Sequence, residues 1–135
     1  MTKSAYQGFL RLNSRSVQQR RRTGNHQADL NEDIVLGLTR LEPDVDFQTA
    51  TEAGLRGLVD PEVLSHAAKA GRILVTHVRR TMPRHFANFT VNNTSPGVFI
   101  IGQNVSVRAA INELSLIWNR SDGDEWTNLL VDIPL

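Results

Sequence analysis

The chain has 135 residues, of which 40% are hydrophobic and 21% are charged, and this composition is typical of a globular protein. The length suits one domain with its own hydrophobic core and is too short for two ordinary domains. Because the chain contains no cysteine, disulfides and thiolate metal sites are excluded, which fits the reducing cytoplasm. No apolar run approaches the roughly 18 residues that a membrane-spanning helix requires.

The net charge of +1 is unevenly distributed along the chain. Residues 1–28 contain no acidic residue and carry Lys3, Arg11, Arg15, Arg20, Arg21 and Arg22. The rest of the chain carries 9 basic and 14 acidic side chains. We therefore predict a basic, flexible N-terminal arm over residues 1–26 and a folded domain over residues 27–135. Such an arm could contact nucleic-acid phosphates or an acidic partner; the alternatives are a solvated tail and a transit peptide.

The first predicted elements after the arm are a helix and a short strand. Asn31 is a good N-cap for a helix that continues to about Leu41. Its apolar face consists of Ile34, Val35, Leu38 and Leu41. Residues 45–49 then alternate apolar and polar side chains, which predicts a short, half-buried strand.

The best-defined predicted helix begins at Asp60 and Pro61 and ends at Gly71. Aspartate is a favoured N-cap, proline fits the first turn, and glycine fits the position after the last turn. An apolar strand follows over residues 72–77 and ends in a polar Thr-His pair. In open α/β sheets, functional residues collect at the carboxyl ends of such strands, so this strand end is the predicted functional site.

Two more helices and two more strands are predicted in the C-terminal half. They are a short helix over 83–89, a buried strand over 97–102, a helix over 106–119 and a final strand over 129–133. The alternation of strands and helices predicts an α/β fold in which helices cover both faces of a mostly parallel central sheet. We therefore expect a three-layer α/β/α sandwich.

Residues 29–135 carry an ordered series of short motifs. They are DLNEDI at 29–34, AGLRG at 53–57, DPEVL at 60–64, GRILVTH at 71–77, Thr81-Met82, SPGV at 95–98 and IPL at 133–135. In this order and at this spacing, the series resembles a bacterial PIN-like family of largely unassigned function, often regarded as toxin components of toxin–antitoxin pairs. The resemblance implies a PIN-like α/β/α fold, RNA as substrate and a small antitoxin protein as partner.

PIN domains cleave RNA with Mg²⁺ or Mn²⁺ held by clustered carboxylates. Hard divalent ions prefer oxygen ligands, and the bound ion activates water and offsets phosphate charge. The resemblance implies that Asp29, Asp60 and Glu62 hold one such ion and act in catalysis together with His77. Each acid also has a structural interpretation: Asp60 as a helix N-cap, Glu62 as a partner of the helix dipole, and Asp29 as a solvated loop residue.

Three arginines follow the Thr-His pair, namely Arg79, Arg80 and Arg84. If they lie beside the predicted cleft, their guanidinium groups would bind the phosphates of RNA, with His77 as a further phosphate contact. A solvated basic surface without a ligand is the alternative interpretation of the same three residues.

The chain departs from the family pattern in two motifs. The first strand of the family is apolar and ends in Asp-Glu-Asn or Asp-Glu-Asp, whereas Gln27, Ala28 and Asp29 stand here. After the third strand, Val78 replaces the aspartate of a Thr-His-Asp pattern, and valine cannot bind a cation. Because the segment before Asp29 is also too polar for a buried strand, residues 6–13 are an alternative source of the first strand.

Three functions are compatible with these observations. The first is a PIN-like, toxin-type, metal-dependent ribonuclease. The second is a catalytically inactive PIN-like protein that binds RNA or a partner protein. The third is a small α/β scaffold that forms a homodimer or larger assembly through its C-terminal helix, with Trp118 and Trp126 as interface aromatics.

Overall fold

The computed structural model describes residues 7–11, 32–49, 52, 54 and 60–135. Within these residues the strands are β1 Gln7–Arg11, β2 Asp46–Thr49, β3 Ile73–Thr76, β4 Val98–Ile101 and β5 Leu130–Ile133. The helices are α1 Glu32–Leu41, α2 Asp60–Ala70, α3 Met82–Asn92 and α4 Val107–Arg120, and one 3-10 turn covers Gly123–Trp126. The predicted α/β class is confirmed, and none of these described helices is long and apolar enough to cross a membrane.

The five strands form one mixed sheet in the order β2-β1-β3-β4-β5. β1 is antiparallel to both of its neighbours, β2 and β3, whereas β3, β4 and β5 are parallel to one another. The prediction of a mostly parallel sheet is therefore wrong. That prediction rests on the alternation of strands and helices after residue 31, which favours parallel pairing. β1 precedes this alternation in the chain and enters the sheet between β2 and β3 in the opposite direction.

β1 lies inside the range 1–26 that the charge distribution assigns to an arm. Phe9 and Leu10 are fully buried, and the strand pairs with β2 on one side and β3 on the other. Residues 7–11 therefore belong to the folded domain and not to a separate arm. The alternative first-strand source, residues 6–13, is confirmed in its central part.

Successive side chains of each strand point to opposite faces of the sheet, so both faces of this sheet are apolar. Helices pack on each of the two faces. On the face covered by α1 and α4, the buried cluster comprises Leu10, Ile34, Leu38, Ile73, Val75, Phe99, Ile101, Ala110, Leu114, Ile117 and Ile133. On the face covered by α2 and α3, it comprises Phe9, Val63, Leu64, Ala67, Leu74, Met82, Phe86, Val98 and Ile100. Burial of each large apolar side chain contributes about 1.5–3 kcal/mol before the entropy cost of folding, so these clusters hold the layers together.

The end of α2 turns the chain sharply into β3. Gly71 has a φ of 69°, a left-handed conformation that glycine adopts without strain. The N–H groups of Gly71 and Arg72 bond to the carbonyls of Ala68 and Ala67, which is the Schellman pattern of hydrogen bonds. The predicted helix end at Gly71 is thereby confirmed. Because α2 runs back along β3, it begins beside the carboxyl ends of β3, β4 and β5, an edge of the sheet that we call the carboxyl edge.

Candidate functional site

The carboxyl edge gathers the predicted site residues that the structure describes. They are Asp60 and Glu62 in the first turn of α2, and His77, Arg79, Arg80 and Arg84, which follow β3. The remaining predicted residue, Asp29, lies outside the described residues. The strand end at residues 76–77, which the sequence predicts as the functional site, therefore lies among charged and polar side chains.

Asp60 connects the starts of α2 and α3. The hydroxyl of Thr81 donates a hydrogen bond of 2.8 Å to Oδ2 of Asp60, and Nε2 of His85 lies 4.0 Å from the same oxygen. The Asp60 side chain is 12% exposed, so this carboxylate faces the protein more than the solvent. Thr81 occupies the N-cap position of α3 but makes no side-chain capping bond; its hydroxyl donates a hydrogen bond to Asp60.

Thr81 and His85 are site residues that the sequence reasoning missed. Their spacing of four residues places both on one face at the start of α3. This spacing is the feature of the sequence from which the pair could have been predicted. Asp60 is 21 residues away from Thr81 in the chain, and no local pattern connects the two. The contact therefore follows from the packing of α2 beside α3, which only the folded chain shows.

The described acidic residues do not form a metal site. Within residues 7–11, 32–49, 52, 54 and 60–135, no group of three or more His, Asp or Glu residues is placed to hold a metal ion. A divalent ion such as Mg²⁺ or Mn²⁺ requires several oxygen ligands around it. Asp60 and Glu62 therefore do not fit the implied ion with any other described residue, and Asp29, the third predicted ligand, lies outside these ranges.

The turn after β3 carries an aliphatic side chain, Val78, at the position where the resemblance leads us to expect an aspartate. The backbone N–H of Val78 donates a 3.0 Å hydrogen bond to Oγ1 of Thr76. Thr76 is fully buried, so this bond satisfies a hydroxyl inside the core. The half-buried side chain of Val78 offers no oxygen to a cation. The turn is therefore locally stable without an acidic residue.

His77 is held as a neutral side chain. Its Nδ1 lies 2.9 Å from the carbonyl oxygen of Ile101 at the end of β4. Because a carbonyl can only accept a hydrogen bond, we assign the proton to Nδ1. Burial lowers the pKa of His77 below its ordinary value of 6.5, against the smaller opposite effect of the bond to Ile101. At neutral pH, His77 therefore brings no positive charge to the carboxyl edge.

The three predicted arginines differ in their surroundings. Arg79 donates two hydrogen bonds, of 2.8 and 3.3 Å, to the two carboxylate oxygens of Asp132 in β5. Arg80 and Arg84 are exposed, and no ion pair within the described part of the chain involves either of them. Arg84 lies in the first turn of α3, which contains no acidic residue. Among the described residues, Arg80 and Arg84 are therefore the two arginines of this edge that form no ion pair.

The two tryptophans proposed as interface aromatics have partners inside the chain. Trp118 and Trp126 are half-buried against the cluster beneath α1 and α4. The ring of Trp126 packs edge-on against Phe99 with centroids 5.1 Å apart, and its Nε1 donates a 3.1 Å hydrogen bond to Ser121. Part of the surface of both tryptophans and the indole N–H of Trp126 are thus used within the fold, which weakens the case for a docking role.

Comparison with known proteins adds no assignment to this geometry. No protein-family model, no curated protein and no solved structure matches the chain. The likeness to PIN-like proteins accordingly consists of the ordered motifs quoted above. Any functional conclusion has to be drawn from those motifs and from the side chains at the carboxyl edge.

Proposed function

We propose that this protein is a three-layer α/β/α PIN-like domain of the toxin–antitoxin type that binds RNA at its carboxyl edge without metal-dependent cleavage. The observation that carries the proposal is that Arg80 and Arg84 form no ion pair with any described residue, at an edge where the described acidic residues form no metal cluster. Such a protein acts in the cytoplasm and has a small antitoxin protein as partner, as the resemblance implies.

The fold assignment is supported by the packing of helices on both faces of the sheet. α1 and α4 lie against one buried cluster, and α2 and α3 lie against the other. The ordered motifs from residue 29 to residue 135 support the PIN-like type. The antiparallel β1 is the feature that departs from the mostly parallel sheet expected from the sequence.

Phosphate binding is supported by charge and by helix geometry. Arg80 and Arg84 are exposed on either side of the beginning of α3. The N-terminal turn of a helix presents unpaired N–H groups and a partial positive charge. The first turn of α3 contains no acidic residue and no side-chain cap, and only the Asp60 carboxylate beside Thr81 offsets part of this charge among the described residues. Guanidinium groups bind phosphate through two parallel hydrogen bonds. A phosphate chain crossing this edge would therefore meet positive charge from three sources.

Loss of cleavage is supported by two features of the same edge. Val78 stands at a position where the family has an acidic residue. The Asp60 carboxylate is occupied by Thr81 and lies beside His85, so it already has a structural role. Both features favour an RNA-binding protein over an enzyme.

A second candidate is the metal-dependent ribonuclease, with Asp29, Asp60 and Glu62 as ligands. The observation that favours it is the position of Asp60 at the carboxyl edge, where catalytic groups of α/β folds collect. In this case Mg²⁺ or Mn²⁺ would activate water for attack on the phosphate. A homodimeric scaffold is a third candidate, and it has less support because Trp118 and Trp126 pack within the chain.

A salt titration with charge variants tests the binding proposal. Fluorescence anisotropy with a labelled 12-nucleotide oligouridylate in EDTA measures affinity between about 50 and 200 mM KCl. For single strands, log K falls with log salt with a slope of about −0.7 for each phosphate contact. R80Q/R84Q should therefore bind more weakly than wild type, and its salt dependence should be shallower by about 1.4. R120Q, which removes an exposed arginine at the far end of α4, is the matched control and should change little. Equal binding by R80Q/R84Q and wild type would contradict the proposal.

A further inference from the structure

Arg79 and Asp132 form a two-point ion pair across the carboxyl edge. Nη1 of Arg79 lies 2.8 Å from Oδ1 of Asp132, and Nη2 lies 3.3 Å from Oδ2. The two residues are 53 positions apart in the chain, and they come from the turn after β3 and from the edge strand β5. This fork-to-carboxylate geometry is the one that a phosphate group would take on the same guanidinium.

We infer that Asp132 limits the affinity of the proposed RNA site by acting as an internal competitor of phosphate for Arg79. This inference rests on the proposed function, because it names the residue that controls the ligand contact at the same edge. Arg79 then contacts RNA only when Asp132 is displaced. In the resting protein, Arg80 and Arg84 make the first contacts with the phosphate chain.

The exposure of the pair makes this exchange feasible. The side chains of Arg79 and Asp132 are 57% and 58% exposed, so water screens their attraction. Exposed pairs of this kind contribute little stability, so a phosphate can replace the carboxylate at small cost. A buried pair would hold Arg79 permanently, since separating buried charges is expensive.

The Asp132 carboxylate also restricts where RNA can lie on the edge. It belongs to β5, the last strand of the sheet, whereas Arg80 and Arg84 lie between β3 and the first turn of α3. A phosphate chain that extends from these arginines toward β5 meets the negative charge of Asp132. The pair therefore favours a short binding path beside α3 over a longer one across β4 and β5.

Replacing the carboxylate by its amide tests the inference directly. The D132N substitution frees Arg79. The affinity of the D132N protein for the oligouridylate in EDTA should therefore be about threefold to fivefold higher than that of wild type. It also adds one phosphate contact, so the slope of log K against log salt should steepen by about 0.7. In D132N/R79Q the guanidinium is absent as well, and the slope should stay at the wild-type value.

D124N is the matched control. It removes the same charge from an exposed aspartate that precedes β5, at the opposite end of that strand from the carboxyl edge. A general effect of net charge would raise the affinity of D124N and D132N alike and would overturn the inference. So would an unchanged salt slope in D132N. If R80Q/R84Q weakens binding but D132N behaves as D124N does, the inference fails and the proposed function stands. If neither the wild-type protein nor any variant binds RNA, both the inference and the proposed function fail.

Discussion

The hydroxyl of Thr81 donates its hydrogen bond to the carboxylate of Asp60, and this contact of 2.8 Å joins the first turn of α2 to the residue that precedes α3. Asp60 is the residue that the sequence predicts as a metal ligand or as a helix cap. In the folded chain it is the first residue of α2, and its carboxylate accepts the hydrogen bond from Thr81, the N-cap residue of α3. The carboxylate thereby fixes the geometry of the two helix starts at the carboxyl edge.

Removal of this hydroxyl should destabilise the fold. Thr81→Val keeps the shape of the side chain but leaves the nearly buried Asp60 carboxylate without its donor, so the free energy of unfolding should fall by about 1 kcal/mol. Urea denaturation measures the change. Thr94→Val, at an exposed threonine in the loop before β4, is the control and should stay within about 0.5 kcal/mol of wild type. Equal stability of the two variants would mean that the Asp60–Thr81 bond has no structural role.

The burial of β1 makes the N-terminal region essential for folding. Phe9 is fully buried between β2 and β3 and packs edge-on against His66 at 5.1 Å. Phe9→Ala should therefore lower the free energy of unfolding by about 3–5 kcal/mol. Leu36→Ala, at a side chain that is 40% exposed on α1, should cost at most about 1 kcal/mol. If residues 7–11 belonged to a flexible arm, Phe9→Ala would cost no more than Leu36→Ala.

Much of the fold could be predicted from local patterns. The Asp-Pro start and Gly71 end of α2, the apolar runs of β3 and β4 and the amphipathic face of α4 each correspond to an element in the structure. β1 could not be placed in the same way. Its apolar residues are few and lie in a strongly basic region, and their position between β2 and β3 depends on pairing with segments about 40 and 65 residues later.

The neutral state of His77 predicts a loss of stability at mildly acidic pH. Burial lowers its pKa in the folded protein below the value of 6.5 expected when the chain is unfolded. The unfolded chain therefore binds the proton first, and stability that is complete above pH 6.5 is lost as the pH falls toward the lower, folded value.

Thermal unfolding between pH 5 and 8 measures this effect. His77→Asn places an amide nitrogen near the position of Nδ1 and cannot titrate, so its melting temperature should fall less between pH 7 and pH 5.5 than that of wild type. Parallel curves for the two proteins would show that His77 does not carry a lowered pKa.

Val78 should be replaceable by a metal ligand if it stands at the lost acidic position. Val78→Asp is expected to give a protein whose melting temperature rises on addition of Mg²⁺, because an ion that binds only the folded state stabilises it. At a Mg²⁺ concentration of 10 times Kd the gain is about 1.4 kcal/mol. Val78→Asn is the isosteric control and should not respond. An identical response of wild type, Val78→Asp and Val78→Asn would show that position 78 is not a ligand position.

The place where these charged side chains meet could be predicted from the sequence, but their partners could not. The apolar run of β3 and the Thr-His pair at its end indicated the edge of the sheet on which they lie. The partners of the charged residues could not be foreseen, because Arg79 binds Asp132 and His77 binds the carbonyl of Ile101 across large separations in the chain. Burial keeps His77 neutral near pH 7 by lowering its pKa, against the opposite effect of its bond to the Ile101 carbonyl, and neither feature is visible in the sequence.

The central claim is that the carboxyl edge binds RNA and does not cleave it with a metal ion. The most direct measurement incubates the protein with end-labelled single-stranded RNA, once with Mg²⁺ and Mn²⁺ and once with excess chelator, and resolves both the bound complex and any fragments on gels. We expect a salt-sensitive complex in both conditions and intact RNA throughout. Fragments that appear with the metal and vanish with the chelator would contradict the claim and favour the ribonuclease.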